Sequence, residues 1–500
     1  MEGWNDIINT ALLGTEKKSL ALQAGSSVPQ AGSNVLHQAK AQISAQAGLD
    51  KEEQFLQLAA LSFNVRQSGT KPLHQPTLKA AQAAAESLPY CSQRAAQVLR
   101  DILEEESQPL LTLWLERCIA AQRIVPPEWV PTLLNRAIQH KDIRQSVATV
   151  CGRRGEWLSR FNPSWEFSNP VDDEQLWQTG NLDQRRTVLR QMRGQDPAKA
   201  REWLERSWPQ ENANTRAELL KQLDGTVQPE DEPFLFGALN EKSQKVKDAA
   251  ISLLQQLPGS RLVINYAETA ARHVVLKKEK ALLGLSTKTT LHIQLPVIPA
   301  KEYYLSGIDY LSPNKLLTDE EYVLYQLIQH TPPAFWEQHL ALSPAEILAM
   351  LTGPHQKYVS AFAKAAAHFK AVDWAKAFVT QREEFNAPLL QLLPLPERES
   401  WTIQNFPKHR EPILQSVVQW PGEWSFELAK TIIKYTAVQP YRWDMYWYKS
   451  NFACIPVAIE PLLRSFAPAE PAHAEMWTRI TNQLSHLLRL KEQTQKAFNE

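Results

Sequence analysis

The chain lacks long apolar runs, a net charge and a secretory signal. None of its apolar stretches approaches the ~20 residues that a helix needs to cross a bilayer. Its 54 Lys and Arg balance 54 Asp and Glu, and this neutrality does not favour nucleic acid or an acidic membrane as the main partner. The first residues lack a charged and then apolar leader pattern. These features predict a cytoplasmic protein.

The sequence also lacks the spacings that metal sites and disulfides use. Its four cysteines, Cys91, Cys118, Cys151 and Cys454, are scattered and form no CxxC pair. Each lies in a segment with a helical pattern, which predicts free thiols in a reducing compartment. The 12 histidines include no HxxxH or HExxH pair, so we expect no zinc site on a helix.

Motifs for catalysis are equally scarce. Residues 284–290 resemble a phosphate-binding loop, but they lack the second glycine before Lys288 and lead into a strand-like pattern. The acidic clusters 104–106 and 172–174 are typical of solvated helix ends. We therefore predict no catalytic residue, no cofactor and no enzymatic activity. A hydrolase or transferase site assembled from residues distant in sequence is the alternative left open.

A repeated triplet is the most informative pattern. A basic residue is followed by apolar residues four and seven positions later, and those offsets lie on one stripe of a helix. The triplet starts at spacings of 41, 31 and 31 residues, and its members are Arg144–Ala148–Cys151, Arg185–Leu189–Met192, Arg216–Leu220–Leu223 and Lys247–Ile251–Leu254. Helical pairs repeating at about this period are typical of a solenoid.

The best of the repeated helices spans residues 243–257. Its apolar residues recur at i, i+3, i+4 and i+7, and Pro258 with Gly259 ends it. Asp196 before Pro197 predicts the cap of a partner helix. The fold class predicted is all-α, a HEAT-like α-solenoid of stacked helical hairpins; a plain helical bundle is the alternative.

Changes in composition and hydrophobic pattern along the chain suggest four regions. They are an N-terminal helical region 1–130, HEAT-like repeats 131–262, an irregular insert 263–315 and a C-terminal helical region 316–500. In the first region, Ala- and Gln-rich residues 35–48 and 77–87 favour helices. Residues 25–33 and 68–72 have loop compositions.

One segment breaks the helical period. Residues 288–296 alternate apolar with polar side chains, which predicts a strand with Leu291, Ile293 and Leu295 on one face. Residues 273–276 could pair with it, giving a small β-hairpin-like insert near 273–298. Lys277, Lys278 and Lys280 are interpreted as a solvated loop face. Whether this insert docks on the helices or extends from them stays open.

Helical signals resume after the insert. Thr318 with Glu321, and Ser343 with Glu346, fit capping boxes. Residues 355–370 carry another apolar stripe, and the aromatic residues 441–448 are expected to bury several rings. A polar-ended helix near residues 477–498 is interpreted as a capping element.

Seven short strings, taken in order, resemble a bacterial family of unknown function with HEAT-type helical members. The strings lie at residues 11–15, 152–158, 162–165, 231–235, 257–260, 395–399 and 421–425. The resemblance implies a supporting role near MoxR-type AAA ATPases, with von Willebrand A-domain and SWIM zinc-finger proteins in the same gene neighbourhood. It implies no catalytic residue.

A basic and aromatic cluster is the candidate interaction patch. It comprises Arg144, Arg153, Arg154, Trp157, Arg160 and Trp165. Arginine beside aromatic rings suits phosphate or an acidic protein surface. The structural alternative is that two glycines make a turn, Trp157 fills the corner, and the arginines bind helix carbonyls. We predict a non-catalytic scaffold for protein partners; the alternative is a nucleic-acid-binding protein that uses this patch.

Overall fold

The computed structural model shows an almost wholly helical protein. It describes residues 2–17, 33–67, 82–168, 173–281, 286–297, 307–313, 316–382 and 384–499. Over these ranges the secondary structure is helical apart from one two-stranded hairpin and an isolated bridge. The chain divides into two compact units, Met1–Gln82 and Ala83–Glu500. The predicted all-α class, with stacked helices and a small hairpin, is confirmed.

The first unit contains three described helices. They are α1 (Glu2–Leu13), α2 (Ser33–Ala45) and α3 (Lys51–Gln67). Helix α2 packs on α3, and Asp50 caps α3 by accepting the Glu53 N–H at 2.7 Å. The helix predicted over residues 35–48 is therefore present with slightly earlier bounds. The loops predicted at residues 25–33 and 68–72 fall almost entirely outside the described residues.

The second unit begins with the helices that carry the repeats. They are α4 (Gln93–Glu105), α5 (Gln108–Ala120), α6 (Val130–Gln139), α7 (Arg144–Ser159), α8 (Asp173–Thr179), α9 (Leu182–Gln195), α10 (Pro197–Ser207), α11 (Ala213–Leu220), α12 (Glu232–Ala238), α13 (Gln244–Leu254) and α14 (Arg261–Ala271).

A hairpin separates these from the later helices. Strands β1 (Val274–Ala281) and β2 (Ser286–Ile293) precede α15 (Asp319–Gln329), α16 (Pro333–Leu340), α17 (Pro344–Met350), α18 (Val359–His368), α19 (Val372–Gln381), α20 (Ala387–Leu392), α21 (Leu395–Asn405), α22 (Arg410–Val417), α23 (Phe426–Thr436), α24 (Met445–Asn451) and α25 (Pro471–Lys496). Short 3₁₀ helices lie at Pro127–Trp129, Lys141–Ile143, Pro163–Ser168, Trp208–Gln210, Lys221–Leu223, Pro229–Asp231, Gly353–Tyr358, Phe452–Cys454 and Val457–Phe466.

Local sequence sets many of the helix starts. The capping boxes predicted at Thr318 and Ser343 are both confirmed, each with reciprocal bonds to the glutamate three residues on. Asp196 caps α10 by accepting the Lys199 N–H at 3.0 Å, as predicted. Such caps satisfy N–H groups that have no partner within the helix.

The repeated triplets point into one continuous core. Leu189, Leu220, Ile251 and the residues three positions after each are buried, while Ala148 is half-buried. The buried apolar residues form one cluster from Cys91 to Ala497. Each amphipathic pair buries its apolar side against the next pair, which is the arrangement that the triplet spacing predicts.

The small hairpin expected from the alternation is present, and the structure gives its register. Val274 lies opposite Ile293 and Leu276 opposite Leu291. Val274 and Leu291 are buried, whereas Leu295 is exposed. The base of the insert therefore docks on the helices. The interpretation of Lys277, Lys278 and Lys280 as a loop face is wrong, because all three belong to β1.

The last helix packs on the first two of its unit. Helix α25 contacts α4 and α5, and the ring of Phe498 meets that of Trp114 edge-on at 5.4 Å. Lys491 on α25 is buried, and its Nζ donates to the carbonyl of Ile455 at 2.8 Å and pairs with Glu423 at 2.9 Å. The helix predicted near residues 477–498 is therefore present, and it packs on the first helices of the unit as well as on its last ones.

Two further expectations need correction. The helix predicted over residues 77–87 is wrong where the chain is described, because residues 82–87 form no helix. The aromatic stretch 441–448 buries Tyr448 and partly buries two tryptophans, but it leaves Tyr441 and Tyr446 exposed. The predicted internal boundaries after residues 130, 262 and 315 stay predictions. Across the described segments, none of the helices is both long and apolar enough to span a lipid bilayer.

Two buried tyrosines differ in the hydrogen bonding of their hydroxyl groups, and this difference provides a test of the packing. Among the described residues, no atom partners the hydroxyl of Tyr358. The hydroxyl of Tyr448 lies 2.6 Å from that of Thr436, whose own proton can go to Ile432 O. Tyr358→Phe should leave the free energy of unfolding unchanged or raise it by about 1 kcal/mol, and Tyr448→Phe should lower it by about 1 kcal/mol. Urea titration measures both, and equal effects would contradict the assignment.

Candidate interaction surface

The arginines that open three of the triplets stack on aromatic rings. We call Arg144, Arg185 and Arg216 the repeat arginines. Each guanidinium lies over one ring, with distances to the ring centre of 5.1 Å for Arg144 and Phe167, 4.5 Å for Arg185 and Trp177, and 5.2 Å for Arg216 and Trp208. Such stacking stabilises a planar cation where it leaves bulk water.

The same arginines bind carbonyls and carboxylates within the array. Arg144 Nε donates to Ala137 O and Arg216 Nε to Trp208 O, both at 3.0 Å. Arg216 also pairs with Glu241 at 2.7 Å. Because these contacts join consecutive helices, the repeat arginines hold the stack together. Arg144 is a member of the candidate patch. It binds a helix carbonyl, which is the structural role given as the alternative to ligand binding.

A fully buried aspartate ties three segments together. Asp231 accepts from both terminal nitrogens of the buried Arg193, and from Arg201 at 2.9 Å. Arg193 also donates to Thr226 O at 2.9 Å. The Gln228 N–H donates to Asp231 as well. This hub compensates its charges internally, as a buried ion pair requires.

Glu86 closes a kink in α7. Gly152 has φ 56° and ψ −155°, and the two N–H groups that follow, on Arg153 and Arg154, donate to the Glu86 carboxylate at 3.0 and 2.9 Å. A Cβ at position 152 would lie 2.5 Å from Glu86 Oε2. Only glycine suits this position, in both backbone angles and space. Gly152, one of the two glycines expected to make a turn, therefore breaks the helical backbone of α7 between residues 151 and 153.

Part of the candidate patch does face solvent. Arg153 and Arg160 are exposed, and Trp157 between them is half-buried. These three residues share one helical face. Phe161, 65% exposed, meets the Trp157 ring edge-on at 5.1 Å. The exposed patch is therefore Arg153, Trp157, Arg160 and Phe161.

The remaining patch residues serve the helix packing. Trp165 Nε1 donates to the side chain of Asn135 at 3.0 Å, and Arg154 is half-buried. The patch predicted from sequence is thus divided between solvent and the array. The sequence did not predict the roles of Glu86 and Asp231, because neither lies in a local pattern that indicates which residues it contacts.

A polar groove lies between α11 and α13. It has a volume of about 810 Å³ and includes Glu218, Lys221, Asp224, Lys245 and Asp248 in its lining. Lys221 and Glu218 already pair at 2.7 Å. The mixture of signs gives this groove no preference for a ligand of one charge.

The cysteines are poor nucleophiles. All four are free thiols. Burial raises the pKa of Cys91 to about 11 and that of Cys118 to about 12, and it raises the pKa of Cys151 further. The thiolate is the reactive form, so these groups are inert at neutral pH. In the part of the chain that the structure describes, no group of three His, Cys, Asp or Glu is placed to hold a metal.

Among the described histidines, His330 has the pKa that departs furthest from the usual value. It caps α15, and its ring lies 5.7 Å from that of Tyr266 and 6.4 Å from that of His368. Burial, with smaller effects from His368 and Lys364, lowers the pKa of His330 to about 4. The histidine is therefore neutral in the folded protein at pH 7.

An exposed aromatic surface lies at the turn between α23 and α24. Tyr446 is 79% exposed, Tyr441 58% and Val438 56%, and we call these three residues the aromatic surface. Tyr441 is held in place by the His473 ring at 5.4 Å. Beneath them, Tyr448 is fully buried. Large rings on a well-packed base are typical of contact residues at protein interfaces.

The buried hub makes a prediction about stability. Asp231→Asn removes the charge that compensates Arg193 and Arg201, so the free energy of unfolding should fall by roughly 3–5 kcal/mol. Glu202→Gln, which breaks the exposed pair with Arg206, serves as the matched control and should leave the melting temperature unchanged. Thermal melts followed by circular dichroism compare the two. Similar melting of both variants would argue against a stabilising hub.

His330 makes a prediction about pH. Because its pKa is lower in the folded than in the unfolded protein, the unfolded chain binds more protons between pH 6.5 and about 4. Its contribution is complete at pH 7 and is lost as pH falls through this window, by up to about 3 kcal/mol. Denaturant titrations at pH 7 and pH 4.5 should therefore show a smaller loss for His330→Gln than for wild type. The exposed His486→Gln should retain the wild-type loss.

Comparison with known proteins identifies the family. No curated protein and no solved structure matches the chain. One family model, described as a family of unknown function, matches residues 6–498, which cover nearly all of the sequence. The chain therefore belongs to the DUF5691 family.

Proposed function

We propose that this protein is a non-catalytic, cytoplasmic adaptor whose helical array presents surfaces to protein partners. The aromatic surface carries the proposal. Tyr441 and Tyr446 expose rings on a turn whose neighbouring rings are packed, so they offer contact area at little cost in conformational entropy. Apolar groups held rigidly in water favour burial against a partner.

The use of charge inside the array supports the same function. The repeat arginines and Asp231 bond to neighbouring helices, so their role is to fix the stack. A rigid stack presents exposed side chains in fixed positions, and this preorganisation favours binding.

The resemblance noted from sequence directs the choice of partner. We propose MoxR-type AAA ATPases and von Willebrand A-domain proteins as the first partners to test. This choice rests on the gene neighbourhood that the resemblance implies.

Photo-cross-linking tests the adaptor function. A photoreactive phenylalanine at position 446 should give a discrete cross-linked protein in native lysate, and Tyr441→Ser should weaken it because the neighbouring ring contributes contact area. The same probe at Leu395, another exposed apolar side chain, is the matched control. Mass spectrometry identifies the product. A cross-linking pattern at 446 no different from that at 395 would contradict the proposal.

The exposed patch supports a second candidate function, binding of nucleic acid. Arg153 and Arg160 present guanidinium groups beside Trp157 and Phe161, a combination that suits phosphates and stacked bases. Arg185 and Arg193, two further basic residues of the array, are however paired with carboxylates. A gel shift of labelled duplex that weakens with salt and disappears in Arg153→Glu/Arg160→Glu would favour this function over the adaptor.

A further inference from the structure

The hairpin is anchored firmly at its base. His339 Nε2 donates to Val274 O and His355 Nε2 donates to Leu291 O, both at 3.1 Å. His273 Nδ1 donates to Gln294 O at 3.0 Å. An isolated two-stranded ribbon is marginally stable in water, so these three bonds and the buried Val274 and Leu291 hold the strands in a fixed position.

Beyond its base the ribbon consists of charged residues and threonines. The four rungs are Lys277 opposite Thr290, Lys278 opposite Thr289, Glu279 opposite Lys288, and Lys280 opposite Thr287. Lys277 and Lys278 are exposed. Successive residues of a strand point to opposite faces, so lysines occupy both faces of the ribbon.

The register leaves the positive charges uncompensated within the ribbon. Glu279 is the only acid of these rungs, and Lys288 lies directly opposite it. Three lysines, at positions 277, 278 and 280, have threonines opposite them instead. The ribbon therefore presents ammonium groups and hydroxyls, which together suit an anionic surface rich in hydrogen-bond acceptors.

We propose that the ribbon, through the exposed Lys277 and Lys278, is a docking arm for an acidic surface of a protein partner. This inference rests on the proposed adaptor function and names the chemistry of one contact. A protein partner is favoured over nucleic acid because the chain as a whole is neutral, whereas nucleic-acid-binding domains are strongly basic. The complementary charge increases the rate and specificity of association more than its final affinity.

Lysines on a ribbon can also protect its unpaired edges from aggregation. Charge reversal separates the two roles. Glutamate protects an edge as lysine does, but it repels an acidic partner. Lys277→Glu/Lys278→Glu should therefore stay monomeric and folded while losing binding, and Lys277→Arg/Lys278→Arg should keep both properties.

Fluorescence anisotropy with a labelled poly-glutamate peptide tests the arm on the full chain. We expect wild type to bind at low salt, and the double glutamate variant to bind on the order of tenfold more weakly. The control Lys141→Glu/Lys242→Glu changes net charge equally at two exposed positions outside the ribbon and should bind as wild type does. Binding by wild type should weaken as salt rises, since exposed charges are screened.

Two results would overturn the arm. One is equal loss of peptide binding in the ribbon variant and the control, which would show a general charge effect. The other is tighter binding of duplex DNA than of poly-glutamate through the same two lysines, which would assign the ribbon to nucleic acid. If the ribbon variant instead keeps the cross-link formed at position 446, the arm fails while the adaptor function stands.

Discussion

The fold depends on one constraint: an amphipathic helix pair cannot bury its apolar side alone. In the second unit each pair meets this constraint by packing on the next, which produces a single apolar cluster from Cys91 to Ala497. Polar groups at the junctions then leave water and need internal partners. Stacked guanidinium groups such as that of Arg216, and the Asp231 hub, supply these partners.

The charged residues therefore fall into two groups: those that hold adjacent helices together and those that are accessible to other molecules. Most junction arginines are committed to carbonyls, rings and carboxylates of adjacent helices. The surfaces left for other molecules are few and differ in chemistry: the exposed patch on α7, the lysine ribbon, and the aromatic surface after α23. An adaptor with chemically distinct surfaces can discriminate between partners, since specificity is a difference between affinities.

Local patterns predicted the fold well and the site only partly. The triplets, the caps at Thr318 and Ser343, and the small hairpin follow from neighbours within a few residues, and all are present. Glu86 acts on a kink 66 residues later, and no short-range pattern records such a contact. Tyr446 and Tyr448 lie in one aromatic run, yet only tertiary packing decides which ring is buried.

The contact of α25 with α4 and α5 has a consequence for synthesis. A ribosome makes residues 93–120 well before residues 471–496, so the apolar sides of α4 and α5 stay without this cover while the intervening helices emerge. Trp114 cannot meet Phe498 until all the residues between them have been made. A nascent chain with exposed apolar surface is prone to aggregation. The second unit therefore exposes this apolar surface for longer during synthesis than an open array would, because the early repeats of an open array are complete once their neighbours have emerged.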